Sequence, residues 1–157
     1  MPFVVATLLV IADQLSKLFI IRSVPLHNEP IPLVLGFHIT HTRNTGAAFG
    51  LLHGWSLGPV SGTMILTVFS LVASAYIAYL IVKYRAALGP LLQVGFGLIL
   101  GGAVGNVIDR VLLGYVTDFV HFFVGSFEFA IFNVADSGVV IGALLVLIGT
   151  LVTPAKT

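Results

Sequence analysis

The sequence predicts a membrane α-helical protein, a bundle of four transmembrane helices that carries a small, β-rich extracytoplasmic cap. Hydrophobic residues make up 58% of the chain and charged residues only 8%, whereas a soluble domain carries about 25% charged residues. Four apolar stretches reach the roughly 20 residues that a helix needs to cross a bilayer. The two longest connections between those stretches have the β-branched, partly alternating pattern of strands.

The four predicted helices belong to one domain, residues 1–157, and span about residues 3–21, 61–82, 91–108 and 136–152. The first stretch lacks the basic start of a signal peptide and is interrupted by polar residues, so we predict that it is kept as a helix. In the third stretch, glycines recur at every fourth position, which predicts close packing against a neighbouring helix. These glycines are Gly97, Gly101 and Gly105.

Two long connections, about residues 22–60 and 111–135, are predicted to form the cap. Their strand-like segments are residues 31–42, 115–124 and 127–132. With four spans, both termini lie on the face opposite the cap, together with the short loop that holds Lys83 and Arg85. The number of Lys and Arg residues on the two faces does not decide the orientation. Because the short loop is basic and contains no acidic residue, we predict cytoplasmic termini.

Unusual polar residues gather at the cap side of the predicted helices. Ionisable groups are costly in lipid, so by default they mark a functional site. Those that converge on this face are Asp13, Lys17, Asn44, Asn106, Asp109, Arg110, Asp118 and Asp136. We therefore place the candidate site at this end of the bundle.

Asp118 and Asp136 are the strongest catalytic candidates. Two carboxylates held close together cannot both ionise easily, so one can act as a base toward water and the other as an acid toward a carbonyl. That chemistry hydrolyses an amide without a covalent intermediate. A structural alternative stays open, because Asn133 and Asp136 also have the spacing of a capping box at the start of the fourth helix.

The other candidates have structural or substrate-binding interpretations. Asp13 and Lys17 stand four residues apart on one helix face and can neutralise each other. Asp109 and Arg110 can form buried ion pairs or extend toward the headgroups. Amide side chains can bind a peptide backbone or merely satisfy loop amides; they belong to Asn44, Asn106 and Asn133.

Several classes of function are disfavoured. The chain contains no cysteine, which excludes a thiolate nucleophile or ligand, and it has no H-E-x-x-H motif. We expect no metal, no cofactor and, without a basic cluster, no nucleic-acid partner. A small transporter or proton relay is the main alternative, since carboxylates also line ion pathways. A purely structural membrane subunit is a third class.

Five motifs occur in order over nearly the whole chain: Asp13-Gln14-x-x-Lys17, Asn44-Thr45-Gly46-Ala47-Ala48-Phe49, Gly101-Gly102-Ala103-x-Gly105-Asn106-x-Ile108-Asp109-Arg110, Val116-x-Asp118-Phe119 and Phe132-Asn133-x-Ala135-Asp136-Ser137. This set resembles the bacterial lipoprotein signal peptidase family (signal peptidase II). One departure is Phe129-Ala130, where the family often has a Trp-Pro-like pair.

The resemblance implies an aspartic peptidase of the bacterial inner membrane, with a β-cradle and a helix-bearing loop over the site. We separately expect a monomer. The peptidase would cut prolipoproteins before a diacylglyceryl-modified cysteine, among membrane lipids, and globomycin-type peptides would inhibit it. Asp118 and Asp136 would form the catalytic dyad. Substrate-binding positions would be Asn44, Gly102, Asn106, Arg110, Asn133 and Ala135. Supporting positions would be Asp13, Lys17 and Asp109.

Overall fold

Four long helices and a small antiparallel sheet make up the computed structural model, which describes residues 1–46, 56–58 and 60–152. Each of the helices is long and apolar enough to cross a membrane, so the predicted fold class is confirmed. They are α1 (Pro2–Ser23), α2 (Gly62–Tyr84), α3 (Pro90–Leu113) and α4 (Val134–Val152). The part of the predicted helix-bearing loop at residues 47–55 and 59 lies outside the described residues.

Helix α3 begins and ends at strong local signals. Pro90 occupies its first turn, where a missing N–H costs nothing. At the other end Gly114 adopts a left-handed conformation (φ 80°) and donates its N–H to the carbonyl of Arg110. The helix predicted over about residues 91–108 is longer in the structure, because apolar residues continue to Leu113 and the first stop signal is Gly114. Arg110 therefore lies within the helix.

Helix α3 packs against each of the other three helices, and glycines allow the close approach. A Cβ atom on Gly101 would lie 2.7 Å from the carbonyl oxygen of Ala6 in α1. On the α4 side, Gly95 and Gly142 face each other, and a Cβ on Gly142 would lie 2.6 Å from the Gly95 oxygen. The backbones touch at these points, as expected of small residues at membrane helix contacts.

The cap is a four-stranded antiparallel sheet in the order β1-β2-β5-β6. A separate two-stranded hairpin, β3 and β4, precedes α2. The strands are β1 (Ile31–Pro32), β2 (Phe37–Asn44), β3 (Ser56–Leu57), β4 (Val60–Ser61), β5 (Val116–Val124) and β6 (Phe127–Glu128).

The long strands β2 and β5 position the residues of the site. Asn44 pairs with Val116 at the end near the helices, and Thr42 pairs with Asp118. The strand predicted over residues 127–132 is shorter, because β6 ends at Glu128 and only Phe132 pairs again, with Val120. The segment between them stays attached to the sheet, since the N–H of Phe129 donates to the carbonyl of Phe122 at 2.9 Å.

The contact between α3 and α4 yields a stability prediction. Gly142→Ala inserts a methyl group against the Gly95 carbonyl, and we expect it to lower the free energy of unfolding by about 1–3 kcal/mol through overpacking. The measurement is the melting temperature in detergent. Ala143→Val is the control, because Ala143 is exposed on the same helix. Equal melting temperatures for both variants would contradict the close contact.

Candidate functional site

A buried ion cluster joins helices α1 and α3 below the cap. The Nζ atom of Lys17 lies 2.8 Å from Oδ2 of Asp13 and 3.2 Å from Oδ2 of Asp109. All three residues are buried, with Asp13 fully inaccessible. The spacing of four residues predicted the contact with Asp13. The contact with Asp109 crosses to another helix and leaves two carboxylates for one ammonium group.

Gln14 supplies the donor that this charge balance requires. Its Nε2 atom donates to Oδ2 of Asp13 at 3.1 Å and to Oδ1 of Asp109 at 3.0 Å. Gln14 belongs to the first of the five motifs, but no role was predicted for it. The available signal was a second polar residue beside Asp13 within an apolar helix, where an unsatisfied amide is costly.

The two carboxylates of the cluster also bind backbone groups of the elements that carry the dyad candidates. Oδ1 of Asp13 accepts the N–H of Ala135 at 2.9 Å, one residue before Asp136. Oδ2 of Asp109 accepts the N–H of Thr117 at 3.0 Å, one residue before Asp118. The cluster thus fixes the backbone of α4 and of β5 directly beside the two candidate residues.

Asn106 connects the cluster to Asp136. Its Oδ1 atom accepts a hydrogen bond from Nζ of Lys17 at 3.1 Å, and its Nδ2 atom donates to Oδ1 of Asp136 at 2.8 Å. A neutral amide can accept from a cation on one side and donate to a carboxylate on the other. Asn106 therefore orients the Asp136 carboxylate without adding a charge.

Asn133 links the two candidate aspartates. Its Nδ2 atom donates to Oδ1 of Asp118 at 2.7 Å, while its Oδ1 atom accepts the N–H of Asp136 at 2.9 Å. The N–H of Asn133 in turn donates to Oδ2 of Asp136 at 3.2 Å. This reciprocal pair is the capping box considered in the sequence analysis. The same side chain also contacts Asp118. Asn133 therefore caps α4 and also links the two candidate aspartates.

Asp118 lies in β5 and is 2% exposed. Both of its oxygens accept amide hydrogen bonds, Oδ1 from Asn133 and Oδ2 from Asn44 at 2.9 Å. Burial, and next the nearby charge of Asp136, raise the pKa of Asp118 to about 7, and the opposing effects of the two amides and of Lys17 do not cancel this rise. Asp118 can therefore hold a proton near neutral pH.

A cavity of about 810 Å³ opens onto both aspartates. Its polar wall contains Asn44, Asn106 and Arg110 beside them, and the rest is largely apolar, from α4 and from residues 129–132. Arg110 also donates from Nη2 to the carbonyl of Gly46 at 3.3 Å. A mostly apolar cleft with a few convergent polar groups is the usual form of a ligand-binding site.

Gly102 and Ala135 occupy a different environment from the other candidate binding residues. A Cβ atom on Gly102 would collide with the Ala135 carbonyl oxygen, so the two residues form a backbone contact between α3 and α4. Within the described part of the chain, neither of them lines the cavity. A direct contact of either residue with substrate stays a prediction.

The fold and the cavity define a four-helix membrane protein with a polar site at one end of the bundle. Two solved bacterial membrane enzyme structures, obtained by the in meso method, share this fold. The first, at 2.3 Å resolution, has a TM-score of 0.81 and 31% identity and covers 96% of this chain and 87% of its own. The second, at 1.9 Å resolution, has a TM-score of 0.79 and 30% identity, and the match covers 98% of this chain and 94% of the solved chain.

The sequence comparisons identify the family. The family model for signal peptidase (SPase) II matches residues 5–152. The lipoprotein signal peptidase of Bacillus pumilus (strain SAFR-032) is 38% identical over 158 residues, which cover 99% of this chain and 95% of that protein. The chain belongs to the signal peptidase II family, as its motifs indicated. The transporter alternative is not favoured.

The ion cluster yields a prediction about Lys17. Lys17→Met leaves Asp13 and Asp109 buried without their cation, and we expect it to reduce the free energy of unfolding by about 3–5 kcal/mol. Thermal unfolding in detergent measures this loss. Lys83→Met is the control, because Lys83 is exposed and its loss should cost less than about 0.5 kcal/mol. Similar losses in both variants would refute the structural role of the cluster.

Proposed function

We propose that the protein is an aspartic endopeptidase that removes the signal peptide from diacylglyceryl-modified prolipoproteins, cutting before the lipidated cysteine. Membership of the family makes it a peptidase that acts on lipoprotein precursors. The observation that carries the proposal is that Asp118 and Asp136 line one cavity and are bridged by one side chain, Asn133. A shared site for two carboxylates is what acid–base hydrolysis of a peptide requires.

The two aspartates differ in environment, and this difference supports distinct roles. Asp118 has a pKa raised to about 7 by burial and by the charge of Asp136, so it is suited to hold the proton. Asp136 lies in the first turn of α4, where the helix dipole favours a negative charge. It also accepts hydrogen bonds from Asn106 and from the N–H of Asn133. We assign Asp136 as the base and Asp118 as the acid.

The proposed reaction conserves the protons of the dyad. Asp136 takes a proton from water as the water oxygen bonds to the scissile carbonyl carbon, and Asp118 gives its proton to the carbonyl oxygen. When the tetrahedral intermediate collapses, the C–N bond breaks and the leaving nitrogen takes the proton from Asp136. Asp118 recovers a proton from the hydroxyl group that becomes the new carbonyl. The enzyme returns to its starting state without a covalent intermediate.

Arg110 and Asn44 are the proposed groups for the substrate backbone. Both line the cavity beside the dyad. Among the described residues, the buried Nε atom of Arg110 has no hydrogen-bond partner, so it can donate to a peptide carbonyl. Asn106 and Asn133 contact the dyad carboxylates and would act on the substrate mainly by positioning them. Gly102 and Ala135 would shape the helix contact behind the dyad.

The proposed setting is a bacterial inner membrane with cytoplasmic termini and the site at the outer face. The short turn with Lys83 and Arg85 lies at the end of the bundle opposite the cap, which favours this orientation. A monomer suffices, since one chain supplies both aspartates. The largely apolar cavity would also accommodate globomycin-type cyclic peptides as inhibitors.

The dyad predicts the behaviour of two isosteric variants. Asp118→Asn removes the proposed acid and Asp136→Asn the proposed base, so we expect each to lower kcat by about 100-fold or more. The assay follows the gel shift of a diacylglyceryl-modified prolipoprotein in detergent. Glu29→Gln, an exposed acidic residue of the cap, should keep wild-type activity. Wild-type turnover by either dyad variant would remove that residue from the mechanism.

The raised pKa of Asp118 predicts an alkaline limit of activity. Asp118 must be protonated to act as the acid, and it loses its proton as the pH rises through about 7. Accordingly, kcat/KM should fall by about tenfold per pH unit above that value. Thermal melts over the same range control for unfolding. A kcat/KM that stays level up to about pH 9 would rule out Asp118 as the acid.

A further inference from the structure

The end of the sheet farthest from the helices is apolar and exposed. It consists of the turn between β1 and β2 and the residues that flank the turn between β5 and β6. Leu35 is 88% exposed and Val34 69% exposed. We call this surface the apolar tip; its members are Leu33, Val34, Leu35, Phe37, Val124 and Phe127.

The two turns form one continuous surface. The N–H of Phe123 donates to the carbonyl of Gly36 at 3.0 Å, which ties the first turn to β5. The ring of Phe122 lies 4.8 Å from that of Phe37 and 6.4 Å from that of Phe127, measured between centroids. The apolar side chains of both turns therefore belong to a single ordered patch.

Leu35 has a conformation that is unfavourable for a leucine in water. Its φ of +52° lies in the left-handed region, where a side chain with a Cβ is strained and where glycine or asparagine is usual. Its side chain points away from the protein and gains no packing in return. A strained backbone that presents an apolar side chain outward indicates that something outside the chain receives it.

The position of the sheet indicates the membrane as that environment. His41 in β2 contacts the carbonyl of Val24, the residue that follows α1, through Nδ1 at 2.8 Å. From His41 the strand runs only four residues to Phe37, roughly 13 Å at the usual rise. The tip is thus within reach of the lipid surface around α1.

Charge does not oppose contact with lipid. Residues 30–42 and 119–127 contain no Asp, Glu, Lys or Arg, so insertion would desolvate no formal charge. The carboxylate of Glu128, which follows Phe127, lies outside these ranges; its Oε1 atom lies 2.9 Å from Nε2 of His121. We propose that the apolar tip inserts into the boundary between headgroups and acyl chains on the cap side of the membrane, and that it anchors the free end of the sheet there.

A single-cysteine experiment tests this placement. The chain has no cysteine, so Leu35→Cys gives one site for a nitroxide spin label. The labelled protein is reconstituted into bilayers of phosphatidylcholine and phosphatidylglycerol, and collisions with oxygen and with a water-soluble nickel chelate are measured. Glu29→Cys, exposed on the cap, is the aqueous reference, and Leu144→Cys, exposed on α4, is the lipid reference.

We expect the label at position 35 to collide more often with oxygen than with the nickel chelate, as the label at position 144 does. The label at position 29 should collide more often with the nickel chelate. A nickel preference at position 35 would overturn the proposal. Spin–spin broadening that disappears on dilution with unlabelled protein would mean that a second copy covers the tip, which also overturns it. If Leu35→Cys does not fold, Phe127→Cys, on the other turn, provides the same measurement with the same two outcomes.

Discussion

The contact of Lys17 with two carboxylates is the interaction on which the rest of the site depends. A lone ammonium or carboxylate at this depth would be strongly destabilising, so the three groups hold one another in place. Each carboxylate also accepts a hydrogen bond from a backbone N–H group. Asp109 binds the N–H just before Asp118, and Asp13 binds the N–H just before Asp136. A charge balance between α1 and α3 thereby sets the position of groups on β5 and α4.

Two asparagines extend this positioning from the ion cluster to the proposed dyad. Asn106 and Asn133 contact three different charged side chains between them, and Asn133 also caps the last helix. Charged residues in these places would change the electrostatic balance, because interactions are strong where water is scarce. Neutral amides fix geometry and leave the net charge unchanged. This arrangement holds two aspartates in one cavity without adding a further charge beside them.

Much of this arrangement could be predicted because the membrane makes polar residues conspicuous. Four helices, two strand-bearing connections and the pair Asp13–Lys17 follow from hydropathy and local spacing. The partnership of Lys17 with Asp109 could not be predicted from the residues, since it depends on the relative rotation of two helices. Gln14 stood out as a polar residue beside Asp13 in an apolar helix, but its contact with Asp109 depends on the same rotation. The end of α3 was placed too early because Asp109 and Arg110 look like a helix boundary, whereas their buried contacts let the helix continue.

The hydrogen bond between Asp13 and the N–H of Ala135 joins residues 122 positions apart in the chain. Helix α1 is made before α4, so the groups that complete the site meet only after α4 has been made. Until α4 enters the bilayer, Asp13 lacks one of its donors, and Asp118 has neither Asn133 nor Asp136 beside it. Among the described helices, α4 therefore both completes the bundle and brings the proposed catalytic groups together.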